Sequence, residues 1–265
     1  MTTAPAVVDP GSGRTIHVEI AIVMLISLGQ SAVYSILRII ERMTRPEPIG
    51  QQTTTLNTAT TPDRPWLDAM YQVANIAFPL MPVVLVLYLL WVHRPLEGGP
   101  FRAMGFDLRR PGSDLAKGAA IFAVIGVAGL AFYLFALAVG INTQINTSGL
   151  EFTVVNVIVL LLRAIMNGVL EEVVMIGYLF TRWAQTGGRM WVIVLVSALI
   201  RGGYHLYQGW GGFIGNFVMG LAFGWLFLTW LKGRVMPLVV THSLLDIVAF
   251  LGAPLLPWLM SLIGR

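Results

Sequence analysis

Two adjacent glutamates, Glu171 and Glu172, lie in the middle of a long apolar stretch of the sequence, NGVLEEVVMIGYLF. Between Val154 and Phe180, Arg163 is the only other charged residue. A charged side chain at the centre of a membrane helix costs about 2.5–3.5 kcal/mol on insertion scales, and intramembrane charges commonly mark functional sites. The two carboxylates therefore predict a site at which they have a chemical use.

Polar residues recur four positions apart in this helix and in two later ones, a spacing that places them on one helix face. These stripes are Arg163, Asn167 and Glu171; Arg201 and His205; and His242 and Asp246 in THSLLD. Because exposure to lipid is costly for such groups, the stripes should face the interior of a helical bundle. We expect the two glutamates, the two histidines and Asp246 to line one cavity.

The residue types suit hydrolysis by an activated water. A carboxylate beside an imidazole can hold and deprotonate a water, and a second imidazole can donate a hydrogen bond to an oxyanion. Glu171, His205 and His242 could instead bind a divalent metal ion. The HExxH pattern of zincins is absent from the sequence. Spacing does not separate the two readings, because the groups come from different helices.

The composition indicates an all-α, polytopic transmembrane helical bundle with seven to eight membrane helices. Hydrophobic residues make up 56% of the chain and charged residues only 11%, against about a quarter charged in soluble domains. A membrane helix needs roughly 20 apolar residues. Seven segments qualify: 16–40, 71–92, 118–139, 153–180, 190–207, 212–231 and 235–251. The segment 254–263 is weaker and is expected to form a half-helix or an interfacial segment.

We expect three regions along the chain. Residues 1–15 form a disordered N-terminal tail, residues 16–117 hold N-terminal membrane helices and linkers, and residues 118–265 form the catalytic membrane core. The loop between the first two helices, with QQTTTLNTATTPDRP, reads as a solvated linker. Cysteine is absent, which excludes disulfides and thiolate chemistry.

Basic residues alternate between the predicted loops. Lys and Arg are concentrated after the second, fourth and sixth helices and are absent after the third and fifth. By the positive-inside rule, this pattern predicts a multi-pass protein of the cell membrane with a cytoplasmic N-terminus. Arg42, Arg45 and Arg64, in the first loop, run against this orientation. We attribute the net charge of +4 to the basic loops that set the orientation in the membrane. We expect the lipid bilayer as a partner and no nucleic acid.

The order of these features resembles the CPBP family, which comprises type II CAAX prenyl endopeptidases and bacteriocin-processing or self-immunity membrane proteins. The resemblance covers about residues 106–248, beginning around GFDLRRPGSDLAKG. It is strongest over FVMGLAFGWLFLTWLKGRVMPLVVTHSLLD, which ends at Asp246.

The resemblance implies a role for each site residue. Glu171 would be the catalytic glutamate, with His205 as its partner in activating water, and Glu172 a supporting acid. His242 and Asp246 would bind the oxyanion. The substrate would be a membrane-associated peptide or protein, and the resemblance favours a mechanism without metal.

Three positions depart from the family motifs. Ile176 stands where EExxxR has arginine, Arg201 where FxxxH has phenylalanine, and Asp246 where asparagine is common. We expect Arg201 to replace the missing cation and to pair with Glu171 or Glu172. To reach the depth of the other residues, His205 requires a tilted helix, a helix break near Arg201, Gly202 and Gly203, or a fifth helix that starts inside the membrane. The two glycines are compatible with a break.

The sequence is therefore compatible with three functions. The leading prediction is an intramembrane endopeptidase that uses glutamate- and histidine-activated water. The alternatives are a non-catalytic membrane adaptor of the same fold, suggested by Ile176 and Arg201, and a proton-coupled transporter that uses the carboxylates as relay groups.

Overall fold

The computed structural model describes residues 13–92, 98–146 and 149–262, with the side chains of the last helix as far as Gly252. Most of the expected disordered tail, residues 1–15, lies outside these ranges. The last three residues of that segment are helical, because the first helix begins at Gly13.

The first half of the chain contains two long spans, each of which is locally interrupted. The span Gly13–Met43 and the span Pro65–Val92 are both long and apolar enough to cross a membrane. The first consists of α1 (Gly13–Met24), a π-helical turn (Leu25–Gly29) and α2 (Gln30–Met43). The second consists of α3 (Pro65–Ala77), a 3₁₀ turn (Phe78–Leu80) and α4 (Met81–Val92). The short helix α5 (Gly99–Ala103) follows.

The second half supplies the helices that carry the predicted site. They are α6 (Pro111–Ala138), α7 (Val154–Glu172), a π-helical turn (Val173–Tyr178), α8 (Leu179–Gln185), α9 (Met190–Gly203), α10 (Trp210–Thr229) and α11 (Met236–Leu262). A 3₁₀ turn (Leu206–Gln208) lies between α9 and α10. The helix α9 packs along α10, and α11 packs along both α6 and α7.

The prediction of a polytopic transmembrane helical bundle is confirmed. Five spans in the described part of the chain are long and apolar enough to cross a membrane, and Met190–Gly203 and Met236–Gly252 are shorter apolar helices. The predicted segment at the end of the chain differs from the structure. Residues 254–262 do not form a separate segment, since α11 continues through them to Leu262.

Much of the first loop is exposed, as its composition indicated, but part of it pairs with a second loop. Its strand β1 (Thr53–Thr55) pairs in parallel with β2 (Gln144–Asn146), in the loop between α6 and α7. Gln52 and Thr54 are buried, because the guanidinium of Arg42 donates to the side chains of both. Arg42 thus satisfies buried polar groups within the protein, which explains part of the conflict with the charge pattern.

A cluster of ion pairs, here called the clamp, joins two loops at the end of the bundle opposite β1 and β2. Arg234, in the turn between α10 and α11, donates to Asp114 at 2.5 Å and to Asp107 at 3.1 Å. The hydrogen bonds and charges of these carboxylates raise the pKa of Arg234. Gly105 has a φ of 58°, and a Cβ there would lie 2.6 Å from the Arg234 Cα. The close approach joins the loop before α6 to the turn before α11.

Candidate active site

The two glutamates sit where α7 changes its helical winding. Glu172 is the last residue of α7, and the π-helical turn Val173–Tyr178 follows directly. Every residue of this turn is buried. Single π-helical turns within helices are frequent at functional sites. The paired carboxylates therefore lie where an α-helix joins a buried π-helical turn.

Glu172 is completely buried and joins two helices. Its Oε1 accepts from Arg201 Nη2 on α9 and from His242 Nδ1 on α11, both at 2.7 Å. Its Oε2 has no hydrogen-bond partner among the residues that the structure describes. The side chain thus fixes the ring of His242 and the guanidinium of Arg201 relative to each other.

Glu171 points in a different direction, as its neighbouring position on the helix requires. Its Oε2 accepts from Arg201 Nη1 at 3.3 Å and from the hydroxyl of Tyr204. Neither bond uses Oε1. The carboxylate is therefore anchored through one oxygen, and the side chain as a whole borders a cavity.

Arg201 supplies the cation that the sequence expectation called for, and it contacts both glutamates rather than one. Its side chain is 1% exposed and lies over the ring of Phe223, 5.3 Å from the ring centroid. Ile176, at the position of the family's arginine, is buried among apolar residues instead. The positive charge beside the glutamates therefore comes from α9.

His205 lies just beyond the end of α9, which stops at Gly203 as the paired glycines predicted. Its Nδ1 is 2.9 Å from the carbonyl oxygen of Arg201. An imidazole that donates from Nδ1 to a carbonyl keeps Nε2 as an acceptor when the ring is neutral. His205 thus has a defined orientation and a free basic nitrogen.

Other parts of the chain hold the turn that carries His205. Ser35 on α2 donates to the Tyr204 carbonyl at 2.6 Å, and Arg42 Nε donates to the Tyr207 carbonyl at 2.9 Å. The backbone N–H of Thr143 donates to the Gln208 carbonyl. The N-terminal span and the paired loops therefore position this turn.

Asp246 lies one turn after His242 on α11. Its Oδ2 accepts from Asn167 Nδ2 at 2.8 Å, which connects α11 to α7. Its Oδ1 is 3.9 Å from His242 Nε2, too far for a hydrogen bond. The two atoms are not bonded to each other, so a third group can bind to both from the side of the cavity.

Four of the five predicted site residues border one cavity of about 820 Å³. They are Glu171, His205, His242 and Asp246. Glu172 was also expected to line this cavity, but it is buried outside it and accepts a hydrogen bond from His242. The cavity adjoins an apolar groove of about 490 Å³ between α6 and α10, and Leu130, Tyr133 and Gln208 line both.

Three residues come close enough to hold a divalent metal ion through one atom each. One ligand atom each of Glu171, Glu172 and His242 lie within 4.8 Å of one another, whereas the set expected from the sequence contained His205 in place of Glu172. The guanidinium of Arg201 already lies against both carboxylates. A cation of the chain itself thus offsets one of the two negative charges at this position.

Sequence reasoning missed Tyr204 and the partner of Asn167. Tyr204 lies within the predicted segment 190–207 and was assigned no role. The glycine pair before it was the signal, because a helix that ends there frees Tyr204 to turn toward Glu171. Asn167 was recognised as part of a polar stripe, but its bond to Asp246 depends on how α7 and α11 pack.

Comparison with known proteins identifies one family. Residues 153–248 match the sequence model of the family described as Type II CAAX prenyl endopeptidase Rce1-like. No curated protein and no solved structure is significantly similar to the chain. The matched residues include all five predicted site residues. The match confirms, over residues 153–248, the resemblance to the CPBP family that the sequence motifs indicated.

Proposed function

We propose that this protein is an intramembrane endopeptidase that hydrolyses a peptide bond of a membrane-associated substrate with an activated water. The family match supports a protease of the intramembrane CAAX type in general. The observation that carries the finer proposal is the shared cavity, onto which Glu171, His205, His242 and Asp246 all open within the helical bundle. The protein would act in the cell membrane, with its N-terminus in the cytoplasm.

Glu171 and His205 activate the water. Glu171 Oε1 is not used by Arg201 or Tyr204, and His205 Nε2 is turned away from the carbonyl that holds Nδ1. A water between these two acceptors donates both of its protons and attacks the scissile carbonyl carbon with its oxygen. Glu171 takes one proton in this step, as a general base.

His242 and Asp246 stabilise the oxyanion. His242 donates Nδ1–H to Glu172, so the ring donates from Nε2 only as an imidazolium. Nε2 and Asp246 Oδ1, 3.9 Å apart, are not bonded to each other, so an oxyanion on the side of the cavity can accept from Nε2–H. Asp246 donates to it as a neutral acid, or else orients His242.

The intermediate then collapses and the C–N bond breaks. Glu171 gives the proton taken from water to the leaving amine, which keeps protons balanced over the cycle. Arg201 and Tyr204 hold Glu171 throughout by its other oxygen. They are positioning residues, because the proposed chemistry does not use their atoms.

A non-catalytic adaptor of the same fold is the second candidate. One observation favours it: Glu171 is in an ion pair with Arg201, at the position where the FxxxH motif has phenylalanine. In that case the charged cluster would serve only to hold α7, α9 and α11 together.

A cleavage assay separates the two candidates. Purified protein in lipid nanodiscs is incubated with a panel of membrane-associated peptides that includes farnesylated peptides ending in a CAAX sequence. Products are identified by mass spectrometry. We expect cleavage by the wild type, and a loss of at least about 100-fold in Glu171→Gln and in His205→Ala, because each removes a group that activates water.

Glu41→Gln is the matched control, since Glu41 is exposed at the end of α2 and pairs only with neighbouring arginines. It should cleave at the wild-type rate, and thermal unfolding should be similar for all four proteins. Wild-type rates in Glu171→Gln would rule out the assignment of the base. A wild type that cleaves nothing across the panel would favour the adaptor.

A further inference from the structure

A polar cavity leads away from the catalytic cavity on the side of Glu171. It has a volume of about 520 Å³ and lies between α7 and the interrupted first two spans. Glu171, Asn167 and Tyr204 border both this cavity and the catalytic one. The catalytic carboxylate therefore stands at a junction, with the cavity that adjoins the apolar groove on one side and a polar space on the other.

The polar space continues to Arg163. A further cavity of about 280 Å³ shares Asn75, Met166 and Asn167 with the polar cavity and ends at Arg163. On α7 the residues Arg163, Asn167 and Glu171 lie on one face, so the route follows a single helix. Eight positions separate Arg163 from Glu171, which corresponds to about 12 Å along the helix axis.

Arg163 is half-buried in the bundle, and its hydrogen bonds go to uncharged groups. Nη1 donates to Asn57 Oδ1 at 3.0 Å and Nη2 donates to Gln72 Oε1. Nε is buried and has no hydrogen-bond partner among the described residues. No carboxylate in the described part of the chain lies within ion-pair distance of the guanidinium.

The other residues that line this end of the route are uncharged. Thr58, Thr60, Asn75 and Asn167 line it with Arg163 and Asn57. The nearby carboxylate of Asp68 already accepts from the backbone N–H groups of Thr60 and Thr61 and from Gln72 Nε2. The cavity thus combines one cation with amide and hydroxyl groups, a set of donors suited to a carboxylate.

We propose that Arg163 binds the free C-terminal carboxylate of the substrate, three or four residues beyond the scissile bond. An extended peptide advances about 3.3 Å per residue, so three or four residues cover the distance from Glu171 to Arg163. The positive charge sets the direction, because it attracts a C-terminal carboxylate and repels an N-terminal ammonium group. The part of the substrate before the scissile bond then lies in the catalytic cavity and the apolar groove. This inference rests on the proposed endopeptidase function.

Pairs of substrates test the proposal without any mutation. Each pair consists of the same farnesylated peptide ending in a CAAX sequence, with the C-terminus as the free acid or as the amide. We expect the wild type to cleave the acid with a kcat/KM about 10- to 100-fold above that of the amide, the range for one charged hydrogen-bonded contact. Peptides extended by three further residues should be cleaved as slowly as the amides, because their carboxylate lies beyond Arg163.

Arg163→Gln then assigns the preference to this residue. We expect its KM for the acid to rise to that for the amide, with kcat little changed, because the contact binds substrate and transition state alike. The amide should be cleaved as by the wild type. Arg64→Gln is the control, since Arg64 is an exposed arginine of the loop before α3 and borders neither cavity. It should keep the preference for the acid.

The outcomes separate failure of this proposal from failure of the proposed function. Cleavage of acid and amide at equal rates by the wild type overturns the role of Arg163 and leaves the endopeptidase function standing, with the polar route carrying water only. An equal loss on both substrates in Arg163→Gln also overturns it, since the residue would then be structural. If that variant does not fold, the acid, amide and extended peptides decide with the wild type alone. No cleavage of any peptide contradicts the proposed function itself.

Discussion

Arg201 shows how one residue can substitute for a cation that a motif normally places elsewhere. Its guanidinium contacts Glu171 and Glu172, and its carbonyl oxygen lies 2.9 Å from His205 Nδ1. Removing one member of a buried ion pair typically costs about 3–5 kcal/mol, because the remaining charge is left uncompensated. The side chain that departs from the FxxxH motif is therefore the one that holds the acidic pair within the bundle.

Asp246 can donate a hydrogen bond to the oxyanion only when it is protonated. An ionised carboxylate cannot donate, whereas an amide can. Asparagine has nearly the same shape, and its amide oxygen can still accept from Asn167. We expect Asp246→Asn to keep or raise the initial cleavage rate at neutral pH. Asp246→Leu should lose about 100-fold or more, the scale for removing one oxyanion donor.

One result of comparing the wild type with these two variants would contradict the role of Asp246 as an oxyanion donor. An Asn variant as inactive as the Leu variant would mean that the negative charge of Asp246 is required. The carboxylate would then act by proton transfer or by holding the imidazolium of His242, and the oxyanion would need another donor.

At the scale of helices, the contact between α7 and α11 brings Glu172 to His242. Gly168 makes this contact possible, because a Cβ there would lie 2.5 Å from Ser243 Oγ and 2.9 Å from the Val239 carbonyl oxygen. We expect Gly168→Ala to lower stability by about 1–3 kcal/mol, the usual cost of overpacking. Cleavage should fall as well, since separating the helices lengthens the 2.7 Å bond between Glu172 and His242.

Gly112→Ala on α6 is the control for this substitution, because its Cβ would meet no atom within 4 Å. Alanine is the better helix former, so this variant should be at least as stable as the wild type. Thermal unfolding in the same detergent measures both. A Gly168→Ala protein that is as stable and active as Gly112→Ala would contradict the role given to the close contact.

The elements were predictable where a local pattern decides them. Long apolar runs gave the membrane helices, and the four-residue spacing identified Glu171, His205, His242 and Asp246 as residues that share a cavity. The glycine pair Gly202 and Gly203 indicated the break in α9. These features follow from the cost of placing polar groups in lipid and from the backbone freedom of glycine.

The rest depended on contacts between distant parts of the chain. The loop with β1 is largely exposed, as its polar residues predicted, but Gln52 and Thr54 are buried because Arg42 donates to both. Glu172 lies behind the cavity, where Arg201 and His242 both donate to one of its oxygens. Neither the pairing of two loops nor the choice between adjacent glutamates is encoded in a periodic pattern.

The clamp at Arg234 makes stability depend on pH. Burial raises the pKa of Asp107, but the hydrogen bonds from Arg234 and from the Arg109 backbone N–H outweigh it and leave that pKa lowered. A carboxyl with a lowered folded pKa stabilises the protein above its unfolded pKa of about 3.9, and this contribution is lost as the pH falls through the folded pKa.

We therefore expect Asp107→Asn to be less stable than the wild type at pH 7, by about 1 kcal/mol or about 2–4 °C in Tm. The difference should shrink as the pH falls below about 4. Thermal unfolding of both proteins across this range is the measurement. A difference that stays constant down to pH 2 would mean that the charge of Asp107 is not what stabilises the clamp.

For the whole molecule, the loops separate to two ends, and the charges follow the predicted pattern except at the exposed Arg45 and Arg64. The loop with β1, the loop with β2 and the turn at Gly209 meet at one end, through the strand pair and the bridge between Asn142 and Gly209. The basic loops before α6 and before α11 meet at the other, through Arg234. Arg42 is buried within the protein and so does not count as a loop charge.

The absence of cysteine from the chain makes this orientation directly measurable, because any introduced cysteine is the only thiol. Asp63 is exposed at the end with the strand pair, and Leu108 is exposed at the basic end. Lys and Arg are retained on the cytoplasmic side during insertion, and Asp contributes little. We expect a membrane-impermeant maleimide to label Asp63→Cys in intact cells, and Leu108→Cys only after lysis. The wild type should remain unlabelled in both conditions. Labelling of Leu108→Cys alone in intact cells would reverse the orientation, and the catalytic cavity would then face its substrates from the opposite side of the membrane.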